Sequence, residues 1–152
     1  MRQRPQHKKR RGATLLEAAF AVPVVLTLAL GALDLGAAIA RQNTLSYAAR
    51  QLTRQAITHG SLAPSPVGTW GPATYGPAPG DAADPIPQSL RQYLPGVDPS
   101  QVTLTVAWPD GSNEPGNRVT VTLSCPYRPM TTFVFGNPTW TLAATSTRTI
   151  AH

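Results

Sequence analysis

The sequence predicts an α+β chain: one long N-terminal helix, membrane-spanning in its first half and amphipathic in its second, packed on a small antiparallel β-sheet of about three strands. Three observations predict it. Residues 13–40 are apolar except for a few polar side chains, and their only charges are Glu17 and Asp34. Residues 41–59 carry Leu45, Ala48, Ala49, Leu52 and Ala56 at spacings of three and four, which is one helical stripe. Beyond residue 100 the apolar period changes to two, in 101–108, 118–125 and 139–150.

In chain order this gives a basic tail or leader at 1–12, a transmembrane helix at 13–40 and an amphipathic extension at 41–60. A Pro/Gly-rich linker with a short helix over 86–94 follows at 61–100, then a β region at 101–152. Six of the 13 Lys and Arg residues precede Gly12, and the rest balance the seven Asp and Glu, so the net charge of +6 resides in the tail. No aromatic residue interleaves that basic run, so the charge does not read as a nucleic-acid stripe. A dense basic run directly ahead of an apolar segment instead holds that end in the cytoplasm. The expected location is the inner (cytoplasmic) membrane, single-pass, with the N-terminus cytoplasmic and the C-terminal domain extracytoplasmic. Arg10 and Arg11 form a twin-arginine pair without the rest of that signal, and count as charge alone.

The uninterrupted apolar stretch 18–33, with its flanks, exceeds the roughly 20 residues needed to cross a hydrocarbon core of about 30 Å. Backbone groups in lipid must satisfy one another, so the segment is expected to be helical. Pro23 removes one hydrogen bond, which predicts a kink near the Ala19 carbonyl. A cleaved secretory signal is a rival reading, with Ala38-Ile39-Ala40 as the cut. Its apolar region would normally span about 7–15 residues; this one is longer, and Asp34 would sit just before the cut. A buried core helix of a soluble protein would need more covering chain than the short, proline-rich remainder offers.

A carboxylate at the edge of a spanning segment is costly and usually functional, unless it is simply solvated among headgroups. Glu17 follows Arg10, Arg11, Gly12 and Ala13; a cut after Gly12 would make Ala13 the first residue and Glu17 the fifth. This order of basic leader, glycine, hydrophobic helix and fifth-position glutamate resembles the processing site of type IV prepilins and pseudopilins. The processing motif would be Gly12, Ala13 and Glu17. The resemblance implies a prepilin-type peptidase that cuts on the cytoplasmic side. It also implies that Glu17 neutralises the new N-terminal amine of a neighbouring subunit, since paired buried charges are tolerated where one alone is not.

Residues 12–56 resemble more narrowly the N-terminal module of TadE-like proteins, pseudopilin-like components of tight-adherence (Flp-type) pilus systems. The resemblance rests on Glu17, the pair Val22 and Pro23, the run Asp34, Leu35, Gly36, and the run Ala48, Ala49, Arg50. Leu35 departs from the aromatic residue that the family often carries beside the aspartate. The resemblance implies a membrane component of pilus or secretion-system assembly. Its partners would be the lipid bilayer, other pilins or pseudopilins, and pilus platform proteins.

Ala32, Gly36 and Ala40 form a small-xxx-small row that lets helices approach closely. With Glu17 they are the expected helix–helix assembly residues; ordinary alanine-rich composition is the alternative. Asp34 follows Glu17 by 17 residues, about 25 Å along a helix. It is thus a membrane-edge acid at the opposite face, and the two carboxylates form no acid/base pair. The helix continues to a stop at Gly60. Its stripe is expected to pack on the following domain, the alternative being a helix that lies on the outer leaflet.

Residues 61–88 hold seven prolines and four glycines, a loop or linker with Trp70 and Tyr75 as anchoring contacts. Val102, Leu104, Val106 and Trp108 alternate with smaller polar residues, as do Val119, Val121, Leu123 and Cys125. The loop 109–117 joins these strands as a hairpin, with Asp110 and Gly111 at its turn. A third strand over 139–150 is expected to turn Trp140 and Leu142 inward. Cys125 shares the parity of the core and reads as a small hydrophobe; an intermolecular disulfide is the alternative. A sheet with one apolar face needs a cover, and helix 41–59 is the candidate.

No nucleophile triad, phosphate loop or metal-ligand spacing stands out. His7, His59 and His152 are scattered, and Asp81, Asp84, Asp98, Asp110 and Glu114 lie in loops as turn residues. The chain reads as structural and not as an enzyme, with no cofactor, no metal, no nucleic-acid partner and no small-molecule substrate. A rival function is a membrane-tethered extracytoplasmic β-domain that acts as a binding module outside any pilus pathway. A third is a secreted protein cut after Ala40. Helix 41–59 discriminates the first two: packed on the sheet it makes one pilin-like unit, and free it leaves a tethered module.

Overall fold

The structure, a computed structural model, describes residues 9–132 and 139–151. Most of the tail, with His7, and the C-terminal His152 lie outside the described residues. Helix α1 (Lys9–Ala56) has 48 residues, about 72 Å at 1.5 Å per residue. It is helical through Pro23, where Thr27 Oγ1 donates to the Pro23 carbonyl at 2.8 Å. It ends at Ala56, four residues before the expected stop, in turns closed by bonds from Thr58 N to Gln55 O and from His59 N to Ala56 O.

Four strands follow, with a helix between the first two: β1 (Tyr75–Pro79), α2 (Pro85–Arg91), β2 (Thr103–Ala107), β3 (Arg118–Tyr127) and β4 (Trp140–Thr149). They form one antiparallel sheet in the order β1-β2-β3-β4. The register places Leu104 opposite Leu123 and Val106 opposite Val121, so the apolar halves of both alternations meet on one face. The threonine halves meet on the other. There Thr120 pairs with Thr147 at 2.9 Å and Thr122 with Thr145 at 3.3 Å through their hydroxyls.

The outer half of α1 covers the apolar face. Leu45, Ala48, Ala49, Leu52 and Ala56 are all buried, in one core with Leu104, Val106, Val119, Val121, Leu123 and Cys125. Two adjacent alanines let the helix backbone come close to the sheet, while Leu45 and Leu52 fill the space on either side. Ile86 and Leu90 of α2 close a further side of the core. Thr53, buried on the same stripe, donates to Ala49 O at 2.6 Å and lies 3.3 Å from Ser146 O of β4.

The sheet has four strands where about three were expected. The fourth, β1, comes from the Pro/Gly-rich stretch, and its sequence Tyr-Gly-Pro-Ala-Pro has no apolar alternation. It pairs along β2 with an irregularity between Tyr75 and Ala78. Prolines are tolerated there because β1 is an edge strand. Gly76 has φ +95, and an added Cβ would run into the Leu104 carbonyl, so this position needs glycine.

Trp140 differs from expectation. It has the inward parity, opposite Tyr127, yet it is 48% exposed. The strand extends past the core at this end, so the correct face does not bring burial. Leu142, two pairs nearer the centre, is half-buried against the core.

Candidate functional site at the helix-to-domain junction

Helix α1 has two environments. From Leu15 to Leu33 its large side chains, apart from the half-buried Leu30, project into open space: Leu15 and Phe20 are both 72% exposed, and Val24, Val25, Leu26 and Leu28 are also exposed. Among the described residues one helix, over Gly12–Ala56, is long and apolar enough to cross a membrane, and its most apolar window is wholly unburied. A bare apolar sleeve of this length matches the thickness of a bilayer core. From Leu45 onward the same helix is the spine of the domain. Between the two regimes stands Asp34.

Asp34 is 4% exposed. Its Oδ1 accepts from Met130 N at 2.7 Å, and its Oδ2 accepts from Thr131 N at 2.8 Å and Thr131 Oγ1 at 2.6 Å. The Tyr127 hydroxyl donates to the Asp34 main-chain carbonyl at 2.9 Å. One residue of the helix thus receives four hydrogen bonds from the segment that leaves β3. Three of them end on a carboxylate, where bonds are roughly twice as strong as between neutral groups. One helical turn and then two further on, Ala38 and Arg41 continue the same face. Ala38 is buried, and the Arg41 guanidinium lies 5.2 Å from the centroid of the Tyr127 ring. The Tyr127 and Trp140 rings are 6.2 Å apart. Burial pushes the Tyr127 phenol above its ordinary pKa, and the Asp34 charge adds to the effect, so the hydroxyl remains a donor.

The expected site residues separate into two groups. Asp34 is brought into contact with the C-terminal region. Gly12, Ala13, Glu17, Ala32, Gly36 and Ala40 are exposed on the helix, and a Cβ at Gly12 or Gly36 would meet open space. Ala32 and Gly36 each lie two residues from Asp34, about 200° around the helix, so the small row faces away from the latch. Tyr127, Met130, Thr131, Arg41 and Trp140 were not anticipated. The one signal for them was the cost of an acid beside an apolar run, which demands a partner without naming it.

Elsewhere the loop acids have more specific tasks than turn formation alone. Asp98 Oδ1 accepts from Ser100 N at 3.0 Å. Asp84 Oδ2 accepts the Tyr75 hydroxyl at 2.7 Å, and burial with this acid beside it pushes the Tyr75 phenol up to about 12. Asp110 bridges the hairpin, accepting from Arg118 N at 2.8 Å and pairing with the Arg118 guanidinium at 2.7 Å. His59 stacks on Trp70 with ring centroids 4.0 Å apart. Burial raises the Cys125 thiol above its usual range, as suits a packing residue. Among the described residues no three or more His, Cys, Asp or Glu side chains gather into a set that could hold a metal.

No curated protein and no solved structure matches the chain. Residues 12–54 match the family model described as TadE-like protein, so the likeness is confined to this segment, which holds the apolar sleeve, the Asp34 junction and most of the buried stripe.

Proposed function

We propose that this protein is a single-pass membrane pseudopilin-like component that takes part in assembling a Flp or tight-adherence-type pilus or a related secretion system. One observation carries the reading: a single helix, matching the TadE-like family over 12–54, is a bare apolar sleeve at one end and the buried spine of a small domain at the other. A subunit built this way transmits contacts made in the membrane directly to its domain. The packing of Leu45, Ala48, Ala49, Leu52 and Ala56 under the sheet favours one rigid unit over a domain tethered by a free helix. The helix also runs unbroken through Ala38, Ile39 and Ala40. A cut after Ala40 would sever Asp34 from its four bonds.

In this reading the basic end stays in the cytoplasm and the sheet lies outside. A prepilin-type peptidase cuts after Gly12, and Glu17 pairs with the Ala13 amine of a neighbouring subunit. Ala32, Gly36 and Ala40, exposed on the side away from the latch, form the contact row for other pilins, pseudopilins or platform proteins. The test is the intact mass of the protein from its native membrane, with and without the peptidase. A mature chain that begins at Ala13 only when the peptidase is present supports the assignment. A chain that retains residues 1–12 in both cases removes the processing step. A Glu17→Ala variant that assembles at the normal level removes the charge pairing.

A further inference from the structure

Two clefts lie at the junction, the first lined by Trp140 and the second by Thr139 and by Pro126 and Arg128, the neighbours of Tyr127. The first, about 360 Å³ and almost wholly apolar, is lined by Gly31, Leu35, Pro129 and Trp140, with Asp34 and Thr131 at its floor. The second, about 410 Å³ and largely polar, is lined by Arg41 and Arg128 together with Gln101, Pro126 and Thr139. Their order along α1 is informative. The apolar cleft opens onto the bare sleeve at residues 31–35. The arginine cleft lies about 10 Å further from the sleeve, seven residues along the helix from Asp34 to Arg41. The Asp34 carboxylate does not oppose an anion there, since it is held by three donors in the floor of the apolar cleft.

An apolar cleft lined in part by the sleeve residues Gly31 and Leu35, Trp140 in its wall and two guanidinium groups in the next cleft along the helix form the profile of an amphiphile. Tyr and Trp favour the headgroup level, and arginine is suited to phosphate. We propose that this pair of clefts binds one anionic phospholipid from the leaflet on the domain side. Its phosphate lies in the cleft of Arg41 and Arg128, and an acyl chain runs along Gly31, Leu35 and Trp140. The proposal rests on the membrane-anchor reading and adds to it a defined lipid and a defined seat. The bound lipid would fix how deep the domain sits, since the latch already ties this corner of the sheet to the helix.

The experiment uses the full chain in bilayer nanodiscs of phosphatidylcholine doped with phosphatidylglycerol, either lipid carrying bromine on its acyl chains. Trp140 is the reporter. Trp70, by His59 near the far end of α1, and Trp108 serve as internal controls, and Trp140→Phe subtracts them. Brominated phosphatidylglycerol is expected to quench Trp140 more strongly than the brominated zwitterion. Native mass spectrometry is expected to find one phosphatidylglycerol retained per chain. Arg41→Gln with Arg128→Gln should weaken that retention about thirtyfold, at roughly a factor of five per cation near an anionic lipid. Arg128→Gln alone, at an exposed side chain, gives a change that leaves the Tyr127 contact in place. Equal quenching by both lipids with no effect of either arginine change would overturn the proposal in favour of ordinary annular lipid. A dimer that excludes phosphatidylglycerol would overturn it in favour of a second copy in the cleft. Absence of quenching while the protein resists carbonate extraction would sink the lipid seat and leave the anchor standing. Release of the protein by carbonate would sink the anchor itself.

Discussion

At the scale of single residues, the acid at position 34 decides how the molecule is joined. Its bonds to Met130 and Thr131 hold the end of β3 on the helix at the point where the apolar sleeve stops. Removing one partner of a buried hydrogen bond costs about 1–3 kcal/mol, because the other partner is left unsatisfied. Asp34→Ala is therefore expected to speed amide exchange at Met130 and Thr131 by roughly ten- to a hundredfold, while the central amides of β3 keep their protection. Unchanged exchange at those two amides would show that the latch is not what holds the segment. Asp110 makes a second, pH-dependent tie. The Arg118 guanidinium and backbone N–H hold its carboxyl below the ordinary carboxylate range. A group with a depressed folded pKa stabilises above its unfolded value, near 3.9, and loses that contribution as pH falls through the folded value. The protection factor at Arg118, the exchange rate corrected for the intrinsic pH dependence, should thus fall below about pH 4, and Asp110→Asn should abolish that fall. Since Arg118 stays cationic throughout, the transition belongs to the aspartate alone.

At the scale of elements, α1 carries two sequence grammars in one unbroken helix. Its inner half needs only apolar bulk, because lipid accepts any side. Its outer half needs a stripe, and the stripe was legible: Leu45, Ala48, Ala49, Leu52 and Ala56 are all buried, and only Thr53 joins them there. Strands β2, β3 and β4 were legible for the same reason, a half-buried sheet that forces a period of two. β1 was not, because an edge strand made of Tyr, Gly, Pro and Ala is held by its backbone pairing to β2 and carries no buried alternation of its own. Trp140 shows a further limit: parity fixes the face, but the buried core ends before it, and a cleft lined by Gly31 and Leu35 of the helix leaves it half exposed. The stripe also makes a quantitative claim. Leu52 is fully buried among sheet residues, and truncating such a leucine costs about 2–5 kcal/mol. Leu52→Ala should lower the unfolding free energy of the domain by that amount. Leu26→Ala, on the bare sleeve, should leave it unchanged. A Leu52→Ala domain as stable as the parent would mean that the helix does not close the core.

At the scale of the whole molecule, what was hidden in the sequence is the long-range join. Glu17, Asp34 and the small row are visible because each breaks or decorates an apolar run. Tyr127, Met130 and Thr131 lie more than 90 residues from Asp34 and follow no period, so only the folded chain brings them together. This separates two roles of α1, which a fragment can test. Apart from Ala38 at the edge, every core residue of the helix lies at Leu45 or beyond, and Gln42 Nε2 already reaches the Ala143 carbonyl of β4 at 2.7 Å. A fragment of residues 42–152 therefore retains the stripe, the four strands and α2 while it lacks the sleeve, Asp34 and the Arg41 contact. It should be monomeric in water, with a cooperative unfolding transition and protected amides in β2 and β3. Its Met130 and Thr131 amides should exchange freely. Extending the fragment to begin at residue 30 restores the latch and should restore protection at Met130 and Thr131 without moving the exchange rates of the central strands. If the 42–152 fragment proves unfolded, the sleeve is part of the folding unit and the division of α1 at Asp34 is wrong. If it folds with Thr131 still protected, the segment is held by the sheet, and Asp34 serves the membrane side of the molecule alone.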